Sequence, residues 1–300
     1  MTKMLFDVSG CRIDALHSAE LQEQNIRVSV LRLDLLHPVV SGNKLFKLHY
    51  FLEEANRQNK TLLLTSGGAF SNHLVATAYT ASMLNKKSKG IVRGEQPPVL
   101  SHTLQACMDY GMELEFVSRE TYRDLQQPGA LQLLQELHPS SLVIPEGGYH
   151  PLGAKGAALI YELLDEQAYT HIALAVGTAT TLAGLLIGGN AGTQICAYPV
   201  LKGMHDLQER LHYLTGDTAV TKRLDNRDGY HFGGYAKHTP ELLAFMNRCR
   251  QEFGLPLDFV YTAKMLYGVF EDIKKEHYPA GSSILCLHTG GLQGNDSLGV

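Results

Sequence analysis

The stretch HIALAVGTATTLAG, residues 171–184, decides the fold class of this chain. Its first half is a short, continuous apolar run, which is typical of a buried strand. A loop of glycine, alanine and threonine follows, and a second apolar run begins a predicted helix at Thr180. A buried strand that passes through a loop of small residues into a helix is the building unit of α/β proteins.

The same alternation recurs on both sides of this stretch. RVSVLRLDLL (27–36), TLLLTS (61–66) and SLVIPEGG (141–148) are predicted strands. KLFKLHYFLEEANRQ is a predicted helix because its leucines repeat at helical spacing, and a further helix is predicted over residues 152–165. Strand and helix alternate over the whole length, so we expect an α/β protein with parallel sheets covered by helices.

Glycine-rich turns near residues 50 and 148 predict two domains. Residues 51–147 are predicted as a small α/β domain, and residues 1–50 together with 148–300 as a large one. The site is expected in the cleft between them.

Composition excludes several classes of function. The 300 residues are 44% hydrophobic and 19% charged with a net charge of −4, so we expect a soluble globular protein that binds neither nucleic acid nor a membrane surface. No segment has the length of a membrane span. The five cysteines are scattered and form no Cys-x-x-Cys pair, which predicts reduced thiols, a cytoplasmic location and no metal site.

Four loops rich in small polar residues follow predicted strands: SGNK (41–44), SGGAFSNH (66–73), GTATT (177–181) and HTGG (288–291). In α/β sheets, ligands bind beyond the carboxyl ends of the strands. GTATT opens a helix, so its backbone N–H groups and hydroxyls favour a phosphate, although such a loop taken alone is more often a structural, threonine-rich helix cap. It lacks the lysine of a nucleotide P-loop, and no Gly-x-Gly-x-x-Gly follows a strand.

Two lysines, Lys44 and Lys47, stand about one helical turn apart just after the Ser-Gly-Asn turn. A solvated helix edge is the ordinary explanation, and a covalent anchor is the other. Taken alone, Ser71 or Asn72 reads as a helix cap, and His73 as a packing or surface residue.

The motifs SGNKLFKL, GGAFSNH, EGGYHPLG, GTATTLAG, VYTAKMLYG and LHTGG stand in the order found in the D-cysteine desulfhydrase and 1-aminocyclopropane-1-carboxylate (ACC) deaminase family. The chain resembles that family from about residue 28 to 291. The resemblance implies a two-domain, parallel-sheet, pyridoxal phosphate (PLP) dependent fold of type II, like that of the tryptophan synthase β subunit. It also implies PLP as cofactor, a small amino acid as substrate and a homodimer.

The resemblance also implies roles for single residues. Lys44 would form a Schiff base with the cofactor aldehyde, Asn72 would hydrogen-bond its phenolic oxygen, and Thr289 would approach its pyridine nitrogen. The phosphate would be held by Gly177, Thr178, Ala179, Thr180 and Thr181.

On the substrate side, Ser71 and His73 would face the substrate carboxylate, and Asn43, Tyr235 and Tyr261 would also contact the substrate. Lys44, Ser71, Tyr235 and Tyr261 would be the catalytic residues. Lys47 would support the site electrostatically or reach solvent.

The chain departs from the family pattern in several places. Phe46 replaces a usual arginine, Ala69 and Phe70 precede Ser-Asn where a glutamine is usual, and Ala179 replaces a glycine. Thr262 stands where ACC deaminases carry a glutamate, and His73 where they carry a glutamine. We therefore predict D-cysteine desulfhydrase activity, with ACC deaminase as the alternative. A PLP-binding or amino-acid-binding protein without turnover and a nucleotide-binding α/β protein are the competing hypotheses.

Overall fold

Ten strands and eleven α-helices build the part of the chain that the structure describes, residues 5–38, 40, 42–127, 129–164, 169–189, 192–217 and 219–298 of a computed structural model. The strands are β1 (Ile13–Leu16), β2 (Arg27–Arg32), β3 (Leu62–Gly67), β4 (Lys87–Arg93), β5 (Met112–Val117), β6 (Ser141–Ile144), β7 (His171–Val176), β8 (Gln194–Pro199), β9 (Leu224–Asn226) and β10 (Ser283–His288). The helices are α1 (Ala19–Glu23), α2 (Lys44–Arg57), α3 (Asn72–Met83), α4 (His102–Asp109), α5 (Arg119–Asp124), α6 (Ala130–Leu137), α7 (Pro151–Ala158), α8 (Thr180–Gly188), α9 (Leu207–Thr215), α10 (Pro240–Phe253) and α11 (Thr262–Lys274).

The strands form two sheets. One has six strands in the order β1-β2-β10-β7-β8-β9, and the other has four in the order β5-β4-β3-β6. Within the described residues, every strand pair is parallel except β1 with β2. Helices cover these sheets, and the predicted α/β class with parallel sheets is confirmed.

Three apolar clusters hold the layers together. The six-stranded sheet has one cluster that includes Leu242 of α10 and Phe270 of α11, and a second that includes Leu182 of α8. The third, which includes Leu63 of β3 and Val75 of α3, belongs to the four-stranded sheet. Because both faces of the larger sheet are covered, the sequences of its central strands are nearly continuous runs of apolar residues.

Helix α2 joins the two sheets. Its residues Leu48 and Leu52 pack in the cluster of the four-stranded sheet, whereas Phe46 packs in a cluster of the six-stranded sheet. The strands of the smaller sheet all lie between residues 62 and 144, and those of the larger sheet lie outside that range. The division into domains at residues 50 and 148 stays a prediction, and α2 runs across the first of these boundaries.

Several boundaries differ from those predicted. Strand β2 ends at Arg32, and Leu33–Leu35 form a 3₁₀ turn, because the buried Arg32 guanidinium bonds the Asp34 carboxylate at 2.8 and 2.7 Å. Helix α7 gives way to a 3₁₀ segment at Leu159–Leu163, and residue 165 lies outside the described residues, as does Ser41 of the Ser-Gly-Asn turn. In the described residues, every helix is too short or too polar to cross a bilayer.

Candidate active site

Two adjoining cavities lie where the loops after β3, β6, β7 and β10 meet. The narrow cavity, of about 70 Å³, is lined by Asn43, Lys47, the loop 177–181 and Thr289. The wide cavity, of about 470 Å³, is lined by Ser71, His73 and Tyr235. Both are also lined by Lys44, Asn72, Gly147, Gly177, Thr178 and Tyr261. The structure therefore brings all the predicted site residues to one place, and six residues form the wall that both cavities share.

The loop 177–181 wraps the start of α8. Ala179 is the N-cap residue with a left-handed φ of 65°, and it offers no side-chain hydrogen bond to the first helical amides. The first amides of a helix have no acceptor within that helix, so this uncapped start favours a bound anion. The hydroxyls of Thr178 and Thr180 lie 2.9 Å apart beside it. This arrangement suits a phosphate, and the role predicted for the loop stays a prediction.

A short chain of hydrogen bonds connects this loop with Lys44. The Lys44 Nζ donates to Asn43 Oδ1 at 2.7 Å, and the Asn43 Nδ2 donates to Thr181 Oγ1 at 2.7 Å. Gly42 has a φ of +83°, and a Cβ there would lie 1.9 Å from the Thr289 carbonyl oxygen, so only glycine lets the two loops approach this closely. Asn43 thus lines the narrow cavity, and its predicted contact with substrate stays a prediction.

The Lys44 amine is easier to deprotonate than an ordinary lysine. Burial lowers its pKa to about 8, and the Asp258 carboxylate opposes part of that shift. A neutral amine is the form that can add to an aldehyde or accept a proton. At a wall shared by both cavities, such an amine can reach a group bound in either.

Lys47 differs from Lys44 in its surroundings. Its side chain is only 4% exposed, and its Nζ donates to the Gly147 carbonyl oxygen at 3.1 Å. Burial lowers its pKa well below the ordinary value, and the neighbouring Lys44 lowers it further. The alternative in which Lys47 reaches solvent is therefore wrong.

Ser71 is the N-cap residue of α3, and Asn72 is the first residue of that helix. Ser71 lines the wide cavity, and Asn72 lines both cavities. Ser71 Oγ accepts a hydrogen bond from the Leu74 amide at 3.3 Å, which leaves its hydroxyl hydrogen able to point at a ligand. The Asn72 Oδ1 is buried and has no hydrogen-bond partner among the described residues. Because buried polar atoms are nearly always paired, this amide is oriented for a group that binds in the cavities.

His73 is buried behind Ser71. Thr65 Oγ1 donates to the Ile144 carbonyl oxygen at 2.7 Å, so the 2.9 Å contact with His73 Nε2 has the imidazole as donor. Burial and the two nearby lysines lower the pKa of His73 to about 3. The ring is neutral and its one N–H donates to Thr65, which leaves Nδ1 as an acceptor that cannot donate to a substrate carboxylate. The contact predicted there stays a prediction, and this tautomer does not favour it.

The two tyrosines meet across the wide cavity. The rings of Tyr235 and Tyr261 lie 6.0 Å apart between centroids at 70°, an edge-to-face arrangement. Burial, followed by the neighbouring Tyr235, raises the pKa of Tyr261 well above its ordinary value. Tyr261 therefore keeps its proton and acts as a hydrogen-bond donor.

Two carboxylates of the wide cavity, Asp258 and Glu146, were not predicted from the sequence. Asp258 is 1% exposed and accepts hydrogen bonds from the amides of Val260 (3.0 Å), Tyr261 (2.7 Å) and Thr262 (2.9 Å), and one from the Thr262 hydroxyl (2.5 Å). An aspartate just before a helix signals a cap, and only the fold places it in the cavity wall. Burial raises the pKa of Glu146, which lies in the loop after β6.

The departures from the family pattern fall in different surroundings. Phe46 is fully buried and packs edge-on against Phe6 at 5.2 Å, so it belongs to the core. Phe70 is 44% exposed and lines the wide cavity. Of these two, only Phe70 is placed to affect which substrate fits.

The residues present fit PLP. The uncapped helix start with its threonine hydroxyls suits the phosphate, the Asn72 amide at the shared wall has an NH2 group that can donate to the phenolic oxygen, and the Lys44 amine has a lowered pKa.

Comparison with known sequences decides the family. Residues 15–290 match the family described as pyridoxal-phosphate dependent enzyme. The chain belongs to this family. As a pyridoxal-phosphate dependent enzyme it uses PLP as its cofactor, and the predicted family, cofactor and enzymatic nature are confirmed.

Relatives of this enzyme carry two names. It is 30% identical over 293 residues to the mitochondrial bifunctional D-cysteine desulfhydrase/1-aminocyclopropane-1-carboxylate deaminase of Arabidopsis thaliana, covering 88% of this chain and 72% of that one. It is also 30% identical to a Thermotoga maritima protein with the provisional name 1-aminocyclopropane-1-carboxylate deaminase, covering 91% of each. A solved structure described as an ACC deaminase homologue superposes with a TM-score of 0.81 at 27% identity, covering 95% of this chain and 90% of that one. The PLP-dependent α/β fold predicted from the motifs is confirmed.

Proposed function

We propose that this enzyme is a lyase that removes a substituent from the β-carbon of a small amino acid and releases ammonia. Its first candidate substrate is D-cysteine, which with one water gives pyruvate, sulfide and ammonia. The observation that carries the proposal is the placement of Lys44, whose amine lies in the wall shared by the two cavities and has a pKa of about 8.

Each part of the chemistry has a residue in place for it. PLP, when bound, supplies the electron sink that stabilises negative charge at the substrate Cα. Lys44 Nζ takes up or delivers the Cα proton, for which a pKa near the working pH is favourable. The Ser71 hydroxyl donates to the substrate carboxylate, and the Tyr261 hydroxyl, which keeps its proton, donates to the leaving group or the substrate.

The substrate choice rests on position 262. A glutamate is expected there in ACC deaminases, whereas here Thr262 is fully buried and its hydroxyl bonds Asp258. Ring opening of ACC builds up more negative charge than elimination of a thiol does, so it depends more on a carboxylate that holds a proton on the cofactor. The Arabidopsis relative, named for both activities, supports the same two candidates.

ACC deamination is the second candidate function. It is favoured by the name of the Thermotoga maritima relative and by the description of the solved homologue. Binding without turnover has less support, because Lys44, Ser71, Asn72 and both tyrosines are all present at the cavities.

The first experiment tests the covalent anchor. The purified protein is expected to be yellow, and borohydride reduction followed by peptide mapping is expected to place the pyridoxyl group on Lys44. A pyridoxyl group on Lys47, or no chromophore after addition of PLP, would overturn the assignment.

The second experiment assays D-cysteine and ACC side by side. We expect sulfide and pyruvate from D-cysteine, and much slower release of 2-oxobutanoate from ACC. Faster turnover of ACC would reverse the order of the two functions, and no turnover of either would show that another amino acid is the substrate.

We further propose that the enzyme is a cytoplasmic homodimer. The five cysteines are free thiols, which suits a reducing compartment, and the family resemblance suggests the dimer. Light scattering on the holoenzyme tests the assembly, and a mass of one chain would contradict it.

A further inference from the structure

The loop that carries Tyr235, residues 231–237, rests on a buried lysine of α11. Lys264 is 1% exposed, and its Nζ donates to the carbonyl oxygens of His231 at 2.9 Å and Gly234 at 2.7 Å. Those two carbonyls lie on the N-terminal side of Tyr235, so the lysine binds the backbone that leads directly into this residue.

The same carbonyls close the turn itself. The His231 oxygen also accepts the Gly234 amide at 3.0 Å, and the Gly234 oxygen also accepts the Lys237 amide at 3.1 Å. The ammonium of Lys264 therefore ties together the two short backbone bonds that span the loop. Without the Lys264 ammonium, the His231 and Gly234 carbonyls would each keep only the hydrogen bond from a backbone amide. Such a neutral bond is weaker than a bond from a charged donor.

The backbone of this loop does not hold its shape by local preference. Phe232 has a φ of 51° and Ala236 a φ of 52°, a left-handed conformation that residues with a Cβ rarely adopt. Gly233 and Gly234 also have positive φ values, 92° and 117°. Two such strained residues, next to two flexible glycines, need bonds from outside the loop to keep this one conformation.

Helix α11 supplies these outside bonds at several points. Besides the Lys264 bonds, the Tyr230 hydroxyl donates to Asp272 Oδ1 at 2.5 Å, and the Phe232 ring packs edge-on against Tyr267 at 5.0 Å. The N-cap residue of α11 is Tyr261. One helix thus sets the position of both tyrosines, Tyr261 directly and Tyr235 through the loop.

Burying an ammonium is unfavourable unless something specific is gained. Desolvation lowers the pKa of Lys264 to about 8, and the Asp258 carboxylate compensates in part. An apolar side chain of similar volume is often at least as stabilising in such a place. The two carbonyl bonds to the tyrosine loop are what an apolar residue cannot provide.

We infer that Lys264 is a positioning residue that fixes Tyr235 at the wide cavity, opposite Tyr261. This inference rests on the proposed function of the site, in which Tyr235 contacts the substrate. Lys264 itself does not line either cavity, so it acts through the loop.

The first test measures the loop without any turnover. Trypsin is expected to cut the Lys264→Met holoenzyme after the exposed Lys237 roughly tenfold faster than the wild type, because loss of charge-assisted bonds raises the open population of the loop. The matched control is Lys274→Met on the same helix, an exposed lysine that pairs with Glu271. Equal resistance of Lys264→Met and Lys274→Met would overturn the inference.

The second test separates positioning from a general structural role. In a double-mutant cycle with Tyr235→Phe, we expect Lys264→Met to lower kcat/KM roughly tenfold in the wild type and less than about threefold in Tyr235→Phe. Equal effects in both backgrounds would show that Lys264 does not act through Tyr235.

A third variant covers the case in which Lys264→Met does not fold. Lys264→Arg keeps a cation and several donors, and it is expected to retain more of the trypsin resistance at Lys237 than Lys264→Gln does. Equal loss in both variants would overturn the inference. Failure of the proposed function is distinguishable, because it shows as a missing pyridoxyl group on Lys44 and leaves the trypsin result unaffected.

Discussion

The narrow and wide cavities share one wall but are built differently. The narrow cavity is formed by backbone at the ends of β7 and β10, by hydroxyls such as Thr180 and Thr181, and by two lysines of one helix. The wide cavity takes its side chains from separate loops, among them Phe70, Tyr235 and Asp258. The narrow one is fixed by regular structure, and the wide one by contacts between loops.

The difference suits the roles proposed for the two cavities. A cofactor common to a whole family is held where strands end and helices begin, because those positions are set by the sheet itself. Substrate choice falls to loops that can vary without disturbing the sheet. Lys44 stands between the two, and mutations on either side of it test this division.

The largest effect is expected from the two lysines of α2. Lys44→Ala should lower kcat/KM more than about 10⁴-fold, since it removes both the covalent anchor and the proton carrier. Lys47→Met should cost about tenfold or less, because it removes one hydrogen bond to Gly147 from an amine whose pKa is already well below the ordinary value. Steady-state kinetics and the visible absorbance check both. A larger loss from Lys47→Met would give that residue the role proposed for Lys44.

The phosphate loop gives the next largest effect. Thr180→Ala with Thr181→Ala should weaken PLP retention by about 10²- to 10⁴-fold, since each bond to a charged phosphate contributes about 1.5–3 kcal/mol. Dialysis followed by PLP titration measures it. The matched control is Thr77→Ala with Thr80→Ala, two buried hydroxyls that bond only within α3. Unchanged retention in the first pair would place the phosphate elsewhere.

A pH effect of intermediate size follows from Lys44. Its pKa of about 8 lies below the ordinary value of 10.5. The fraction of Lys44 in the reactive neutral form therefore increases as the pH rises towards 8, and nearly all of it is neutral well above that pH. The rate at which apoprotein takes up PLP covalently should rise about tenfold per pH unit well below pH 8 and level off above it.

Asp258 of the wide cavity allows a second test of the Lys44 titration. Asp258 raises the pKa of Lys44 by attraction, so Asp258→Asn should shift the midpoint to lower pH. A midpoint that stays in place would show that the two cavities are electrostatically independent at Lys44.

The smallest expected effect concerns Ala179. Its φ of 65° is unfavourable for alanine, so Ala179→Gly should stabilise the apoprotein by about 1 kcal/mol, as measured by urea unfolding at constant m. Ala183→Gly, inside α8, should destabilise by about 1 kcal/mol and serves as the control. Destabilisation by Ala179→Gly would mean that the strain at this loop is not relieved by glycine.

Much of the narrow cavity was predictable from short stretches of sequence. The strand, loop and helix within residues 171–184 and the position of Lys44 at the start of a helix are local features, so propensity and capping rules reach them. Their order along the chain also identified the family. The roles assigned to single residues stay predictions, although the structure brings those residues together.

The sequence by itself determined the α/β class and the loops at strand ends, because each depends on neighbours within about ten positions of the chain. The resemblance of its motifs to a known family indicated many residues of the narrow cavity. Only the tertiary structure decided that Lys47 is buried against Gly147, that His73 is a neutral donor to Thr65, and that Asp258 and Lys264 serve the wide cavity. Burial, charge and hydrogen bonding of these side chains depend on partners from distant segments. No local pattern contains that information, because the cost of burying a charge is set by which distant groups the fold places around it.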